Sequence, residues 1–164
     1  MKVFWVSKRL AFGAASAIST WERIRQLHED GFTHVINLRS SRRYRTKLHS
    51  FHSLWLPFPD DKKERPAWFY RRALRFYEQA KNGRDGKVLV MCHRGICRSA
   101  SLTYFLLRAS GCTHKRAEKS IQRVRPCAII CSAYRDGGED FLKRHKTGNN
   151  KSGKLSKSHS GAAT

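Results

Sequence analysis

The segment that most constrains the fold is a strand pattern that leads, through a short polar loop, into a helix pattern. The apolar run "KVLVM" stops directly before Cys92, and "ASLTYFLLRASG", which is mostly apolar, begins at Ala100. A strand followed at once by a buried helix is typical of a sheet that is covered by helices. The loop between them would lie at the carboxyl end of the strand, where open α/β sheets form ligand sites.

The rest of the chain alternates in the same way. Strands are predicted in "KVFWV", "RLAFG", "THVINL" and "SLWLPF", and helices in "STWERIRQLHEDG", at about 67–80, in "THKRAEKSIQRVRP" and around Phe141 and Leu142. Ser19 and Glu22 form a possible capping box, Pro66 suits a first helical turn, and Gly31 stands where a helix would end. We therefore expect an α/β fold with a central mixed, mostly parallel sheet flanked by helices.

Charge divides the chain into a predicted domain and a predicted tail. The chain has 164 residues, and 34 Lys and Arg against 12 Asp and Glu give a formal net charge of +22. This excess indicates an anionic partner or substrate, unless it is only a solvated basic surface. Residues 1–145 hold the apolar patterns and are expected to form one domain. Residues 146–164 are rich in Gly, Ser and Lys, which predicts a disordered basic tail.

The five cysteines indicate a reducing compartment. Their number is odd and their spacing shows no disulfide framework. The sequence has no signal-peptide pattern and no apolar run near the roughly 20 residues that span a bilayer. A second cluster of closely spaced Cys and His is also missing, so no metal or other cofactor is expected. These features favour a cytoplasmic protein, which we expect to be a monomer.

The loop "CHRGICRS" has the composition of an anion-binding site with a nucleophile at its base. A helix that begins near Arg98 presents free N–H groups to the loop, and successive N–H groups there can converge on a phosphate. Gly95 relieves the backbone where a side chain would clash, and Arg98 offers two parallel donors. Thiols lose their protons easily in such positions. Ser99 is placed to donate a hydrogen bond to the thiolate of Cys92. The alternatives are a metal site, a redox pair and a buried thiol.

The same loop resembles the Cys-x5-Arg-Ser/Thr signature of the cysteine-based protein tyrosine phosphatase superfamily. The downstream "YFLLRASGCTHKRAEKSIQRVRP" looks like the two helices that follow this loop in small, atypical dual-specificity phosphatases. The upstream "LWLPFPDD" resembles the strand that delivers their catalytic aspartate. The resemblance covers roughly residues 1–144 and implies a phosphatase-type anion-binding loop between a strand and a helix.

The resemblance also implies roles for single residues. Cys92 would be the nucleophile of a cysteine-dependent phosphatase and would form a phosphocysteine. Arg98 would bind the phosphoryl group together with the loop residues His93, Arg94, Gly95, Ile96 and Cys97. Ser99 would stabilise the departing thiolate. Asp60 would be the general acid, with Asp61 as the second choice, because an alkoxide or phenoxide leaves poorly without a proton.

Three positions depart from the family pattern. Met91 stands where the family usually has histidine, and the histidine here is His93, which is either a substrate contact or an exposed loop residue. Cys97 precedes the arginine as in low-molecular-weight tyrosine phosphatases. It is either a redox partner of Cys92 or a packing residue. Near Cys131 and Ser132 relatives often carry Asn or Gln, and no role is assigned to these two residues.

The substrate stays open at this point. Proteins phosphorylated on Tyr, Ser or Thr are the default that the resemblance implies. The basic residues His93 and Arg94 and the segment 39–47 favour instead a polyanion, such as an inositol phospholipid or an RNA 5′-triphosphate. A non-catalytic basic module that holds RNA, DNA or an anionic membrane is the alternative outside enzymes.

Overall fold

The computed structural model describes residues 3–41, 46–83 and 85–152 and contains five strands and five α-helices within these ranges. The strands are β1 (Val3–Trp5), β2 (Leu10–Ala14), β3 (Phe32–Asn37), β4 (His52–Trp55) and β5 (Lys87–Cys92). The helices are α1 (Trp21–Glu29), α2 (Ala67–Asn82), α3 (Arg98–Ala109), α4 (His114–Val124) and α5 (Ser132–Ser152). Short 3-10 turns occupy Ala15–Ile18 and Thr46–Leu48.

The five strands form one sheet in the order β1-β2-β5-β3-β4. Only β1 runs antiparallel to its neighbour; the other three pairings are parallel. The expected mixed, mostly parallel sheet is therefore confirmed. β5 lies in the middle of the sheet, with Val90 opposite Phe12 on one side and Ile36 on the other.

Successive residues of β5 point to opposite faces of the sheet, and each face has its own core. Leu89 and Met91 pack with the apolar residues of α1 on one face. Val88, Val90 and Cys92 pack on the other face, against α2 and α3. This alternation sends the side chain of Met91 away from Cys92, so Met91 fills the core.

Local details differ from the predictions at three points. The cap of α1 is Thr20, whose hydroxyl accepts the N–H of Arg23 (3.4 Å), and not Ser19. Pro66 is the N-cap of α2 and precedes its first turn. The predicted strand "SLWLPF" ends at Trp55 because Pro57 has no N–H to donate to the sheet, although Leu56 and Phe58 still donate to Asn37 and Leu38.

The last helix packs closely on α2 and α3. A Cβ atom on Gly137 would lie 2.9 Å from the Tyr70 hydroxyl, and one on Gly138 would lie 3.0 Å from Phe105. The two glycines therefore allow the close approach. α5 continues past the predicted domain boundary at 145 to Ser152, and the remainder of the predicted tail, 153–164, lies outside the described residues. None of the helices described here is long and apolar enough to cross a membrane.

A partly buried network joins α3 to α5. Arg108 donates to both carboxylate oxygens of Glu139, at 2.9 Å for the Nη2–Oε2 pair, and the hydroxyl of Tyr104 donates to the same carboxylate at 2.6 Å. The hydrogen bonds from Arg108 hold the pKa of Glu139 below its usual value. A lowered pKa in the folded state means that the charged carboxylate stabilises the fold.

We predict that Glu139→Gln lowers the free energy of unfolding at pH 7 by about 1–2 kcal/mol, because Arg108 loses a charged partner. The difference from the unaltered protein should shrink as the pH falls through the pKa of Glu139, which lies below the usual value of about 4.3. Urea unfolding at pH 7 and pH 3.5 measures both effects. Asp140→Asn is the control, since its pair with Arg144 is exposed, and it should change stability by less than about 0.5 kcal/mol. An equal loss at both pH values would contradict the assignment.

Candidate active site

Cys92 is the last residue of β5, and its side chain lies buried at the base of a pocket. The N–H of Gly95 donates to its sulfur at 3.2 Å, and the hydroxyl of Ser99 lies 3.3 Å from the same sulfur. Ser99 belongs to the first turn of α3 and is fully buried. The sulfur therefore has two hydrogen-bond donors available to stabilise a negative charge.

The backbone of the loop after Cys92 is held from outside. Three carbonyls accept hydrogen bonds from neighbouring segments: that of His93 from the N–H of Ala15 (3.3 Å), that of Arg94 from Nη2 of Arg125 (3.1 Å) and that of Ile96 from the N–H of Ile129 (2.9 Å). In a trans peptide the carbonyl and the following N–H point in opposite directions. The N–H groups of the following residues therefore face away from these partners, and that of Gly95 donates to the Cys92 sulfur. Loop N–H groups held in this way can bind an anion, and we call this loop the cradle.

Gly95 adopts a left-handed conformation, with φ of +65°. A Cβ atom here would lie 2.6 Å from the carbonyl carbon of Gly13 and 2.7 Å from the N of Ala14. Only glycine fits both the backbone angle and this close approach to the end of β2.

Arg98 connects the cradle to the segment that carries the predicted acid. Its Nη1 donates to the carbonyl of Phe58 at 2.9 Å, and its Nε lies 3.6 Å from a carboxylate oxygen of Asp60. The guanidinium is largely buried, whereas the Asp60 side chain is 56% exposed. Arg98 therefore places the Asp60 carboxylate over the same pocket as the Cys92 sulfur.

Asp61 has different partners from Asp60. It pairs with Arg65 and accepts the N–H of Lys63 at 3.0 Å, and this backbone hydrogen bond is the main cause that lowers its pKa. Lys62, which follows the two acids, has a φ of 55°, and its N–H donates to the hydroxyl of Tyr134 at 2.7 Å. Asp60 lines the pocket, whereas Asp61 does not.

The pocket has a volume of about 590 Å³ and two kinds of wall. Arg94 and Lys62 contribute positive charge, and His93 is an exposed residue at the same rim. The apolar wall consists of Ile96, Ile129 and Ile130. Ile129 is 58% exposed although it is a large apolar residue.

Most of the predicted site residues therefore come together. Cys92, His93, Arg94, Ile96, Cys97, Arg98 and Asp60 line the pocket, while Gly95 and Ser99 lie within hydrogen-bond distance of the sulfur. Cys97 is the N-cap of α3 and is partly buried against the core. Cys131 and Ser132, to which the sequence assigned no role, also line the pocket.

Sequence reasoning missed Lys62, Ile129 and Ile130. Lys62 stands two residues after Asp60, the predicted acid, and this proximity was the one signal that could have identified it. The isoleucines reach the pocket because Ile129 bonds to Ile96, a contact between segments about thirty residues apart that no local pattern indicates.

Comparison with known proteins identifies a matching family. The family model described as "Dual specificity phosphatase, catalytic domain" matches residues 14–134. Among curated protein sequences, none matches the chain significantly.

Solved structures share the fold at low sequence identity. DUSP15 is similar with 21% identity and a TM-score of 0.74, over 95% of this chain and 98% of its own. PTPMT1 has 17% identity and a TM-score of 0.75, over 92% and 99%. A human tyrosine phosphatase-like serine/threonine/tyrosine-interacting protein has 20% identity and a TM-score of 0.73, over 88% and 97%. The family match covers most of the chain and includes the Cys92 loop, and so the chain belongs to the dual specificity phosphatase family of cysteine-based phosphatases.

Proposed function

We propose that the protein hydrolyses phosphomonoesters of proteins through a phosphocysteine intermediate. The observation that carries this proposal is the position of the buried Cys92 sulfur, which lies beneath a cradle of N–H groups and in the same pocket as Arg98 and Asp60. A nucleophile, an anion site and a proton donor are thereby within reach of one phosphate.

In the first step the thiolate of Cys92 attacks phosphorus, and the bond from phosphorus to the ester oxygen breaks. The N–H groups of the loop and the guanidinium of Arg98 bind the three other phosphoryl oxygens and stabilise their charge in the transition state. Asp60 donates its proton to the leaving oxygen, so that an alcohol or phenol departs. Because Arg98 already contacts Asp60, phosphate binding and acid placement are coupled.

In the second step a water molecule attacks the phosphocysteine. Asp60, now a carboxylate, takes a proton from this water, the sulfur–phosphorus bond breaks and inorganic phosphate leaves. The hydroxyl of Ser99 donates to the sulfur as its negative charge returns. The thiolate is then ready for another cycle.

The apolar wall supports an aryl phosphate, such as phosphotyrosine, as the preferred ester. A phenyl ring above the cradle would contact Ile96, Ile129 and Ile130, and burial of apolar surface contributes about 25 cal/mol per Å². A phosphoserine methylene covers much less of this wall.

The basic rim favours a second candidate, a polyanionic substrate. Lys62 and Arg94 line the pocket without an ion pair among the described residues and offer charge beyond what one phosphate needs. PTPMT1, whose fold is similar, has been solved in complex with PI(5)P. Phosphoinositides and RNA 5′-triphosphates are therefore the substrates to compare with phosphopeptides.

We predict that Cys92→Ser abolishes hydrolysis of para-nitrophenyl phosphate and that Asp60→Asn lowers kcat on phosphotyrosine peptides about 100- to 10,000-fold, with little change in binding. Asp61→Asn is the matched control: it removes the adjacent carboxylate, and we expect it to keep most of the activity. Steady-state kinetics and trapping of the phosphorylated enzyme after acid quench measure these effects. A larger loss in Asp61→Asn than in Asp60→Asn would reverse the assignment of the acid, and full activity in Cys92→Ser would refute the mechanism.

We predict that Ile129→Ser lowers kcat/KM about fivefold for phosphotyrosine peptides, because an apolar contact of about 1 kcal/mol is lost. Activity on a phosphoserine peptide of the same sequence should change much less. Trp21→Ser, which removes a similarly exposed apolar side chain from α1, serves as the control. An equal loss on both peptides would argue against an aryl-binding wall. Faster turnover of phosphoinositides or triphosphorylated RNA would assign the polyanionic substrate instead.

The two roles considered for Cys97 lead to different oxidation chemistry. Burial raises the pKa of Cys97 to about 11, so at neutral pH it is a protonated thiol. Disulfide formation needs the attacking sulfur as a thiolate. The position of Cys97 thus favours packing over a redox role, and all five cysteines are free in the structure.

We predict that mild peroxide at pH 7 oxidises Cys92 without forming a Cys92–Cys97 disulfide, and that the disulfide yield rises with pH as Cys97 ionises. Peptide mass spectrometry of samples treated at pH 7 and pH 9.5 measures this. Cys97→Ser should be inactivated by peroxide at the rate of the unaltered protein. Abundant disulfide at pH 7, or faster irreversible loss of activity in Cys97→Ser, would support the redox role.

A further inference from the structure

A second groove, which we call the α4 groove, lies between the segment after β1 and the helices α3 and α4. Its volume is about 680 Å³, and it shares no lining residue with the catalytic pocket. The apolar side chains of Val6, Leu107 and Cys112 line it, and Val6 and Cys112 are only partly covered by the core beneath them.

One side of the α4 groove is strongly basic. Lys115, Lys119 and Arg123 are spaced four residues apart and therefore lie along one face of α4, with Arg116 beside them. All four are exposed, and their side chains make no ion pair or hydrogen bond with the described residues. The acid of this helix, Glu118, instead lies 3.4 Å from His114. The groove lining includes no Asp or Glu.

We propose that the α4 groove binds an acidic peptide segment of a partner protein. Carboxylates of the segment would pair with Lys115, Lys119 and Arg123, and an aliphatic side chain between them would pack on Val6, Leu107 and Cys112. An apolar contact enclosed by charge pairs matches both parts of the groove: the apolar contact supplies affinity, and charge complementarity fixes the register.

Other occupants fit the groove less well. A single-stranded nucleic acid would use aromatic side chains for stacking, and the groove lining has none. A membrane surface is flat, whereas these apolar side chains lie within a groove, beside the cations of α4. A second copy of this chain carries a net charge of +22, and residues 146–164 contain four lysines and no acid, so both would be repelled.

The α4 groove ends next to the catalytic loop. Arg125 directly follows α4, and its Nη2 donates to the carbonyl of Arg94 at 3.1 Å. α4 has 11 residues and a length of about 16 Å. A bound segment therefore lies beside the catalytic pocket and leaves that pocket open.

Binding is tested with a fluorescein-labelled peptide that has one leucine flanked by three Asp or Glu residues on each side. The triple variant Lys115→Gln/Lys119→Gln/Arg123→Gln should weaken the Kd about tenfold, from three exposed charge pairs. The matched control is Arg71→Gln/Arg72→Gln/Arg75→Gln, which removes the same charge from the exposed face of α2 and should leave the Kd nearly unchanged. Both variants should keep the para-nitrophenyl phosphate turnover of the unaltered protein. Equal weakening by the two triple variants would reduce the effect to net charge and overturn the proposal.

The apolar contact is tested on the unaltered protein, so this arm does not depend on whether a variant folds. Replacing the leucine of the peptide with serine should weaken binding at least fivefold. Equal binding of the two peptides would overturn the apolar part of the site. Single-stranded RNA and phosphatidylserine vesicles are compared in the same buffer. If either binds more tightly than the leucine peptide and loses affinity only in the α4 variant, the partner class is wrong. These measurements use no phosphorylated substrate, so their failure leaves the proposed phosphatase activity untouched.

Discussion

The rest of the site depends on two contacts of Arg98, one with the carbonyl of Phe58 and one with the carboxylate of Asp60. The cradle after β5 and the segment after β4 come from separate parts of the chain, and the Arg98 guanidinium joins them through one carbonyl and one carboxylate. Since Arg98 starts α3, its position is fixed by a helix that is almost wholly buried. The packing of α3 on the sheet thus determines where the acid lies relative to the Cys92 sulfur.

The parts of the fold that depend on local patterns could be predicted from the sequence. The strand–loop–helix unit around Cys92 has strong signals that lie close together in the sequence. They are an apolar run, a glycine at the position whose φ of +65° disfavours other residues, and an apolar helix pattern. The same holds for the alternation of strands and helices that gave the α/β sheet. Predictions failed where two residues compete for one role, since Ser19 and Thr20 both can cap α1 and the backbone geometry selects Thr20.

The parts of the site that depend on distant contacts could not be predicted. Ile129 lines the pocket because its N–H bonds to Ile96, and a sequence pattern carries no information about that pairing. The choice between Asp60 and Asp61 likewise depends on the contact of Asp60 with Arg98, which comes from a separate part of the chain. The face of the sheet that Met91 occupies follows from strand alternation, but which helix covers that face does not.

The large positive charge and the geometry of the two sites, the catalytic pocket and the α4 groove, contribute differently to ligand binding. Many of the described carboxylates form ion pairs with arginines of the protein, such as Asp61 with Arg65, Glu139 with Arg108 and Asp140 with Arg144. Lys115, Arg116, Lys119 and Arg123 of α4 and Lys62 and Arg94 of the pocket rim have no such partner among the described residues, so their field extends into solvent and attracts anions of every kind. That attraction falls with ionic strength, over a distance of about 8 Å at physiological salt. Charge therefore raises the rate of encounter at both surfaces, whereas the cradle at Cys92 and the apolar side chains of the α4 groove determine which anion stays.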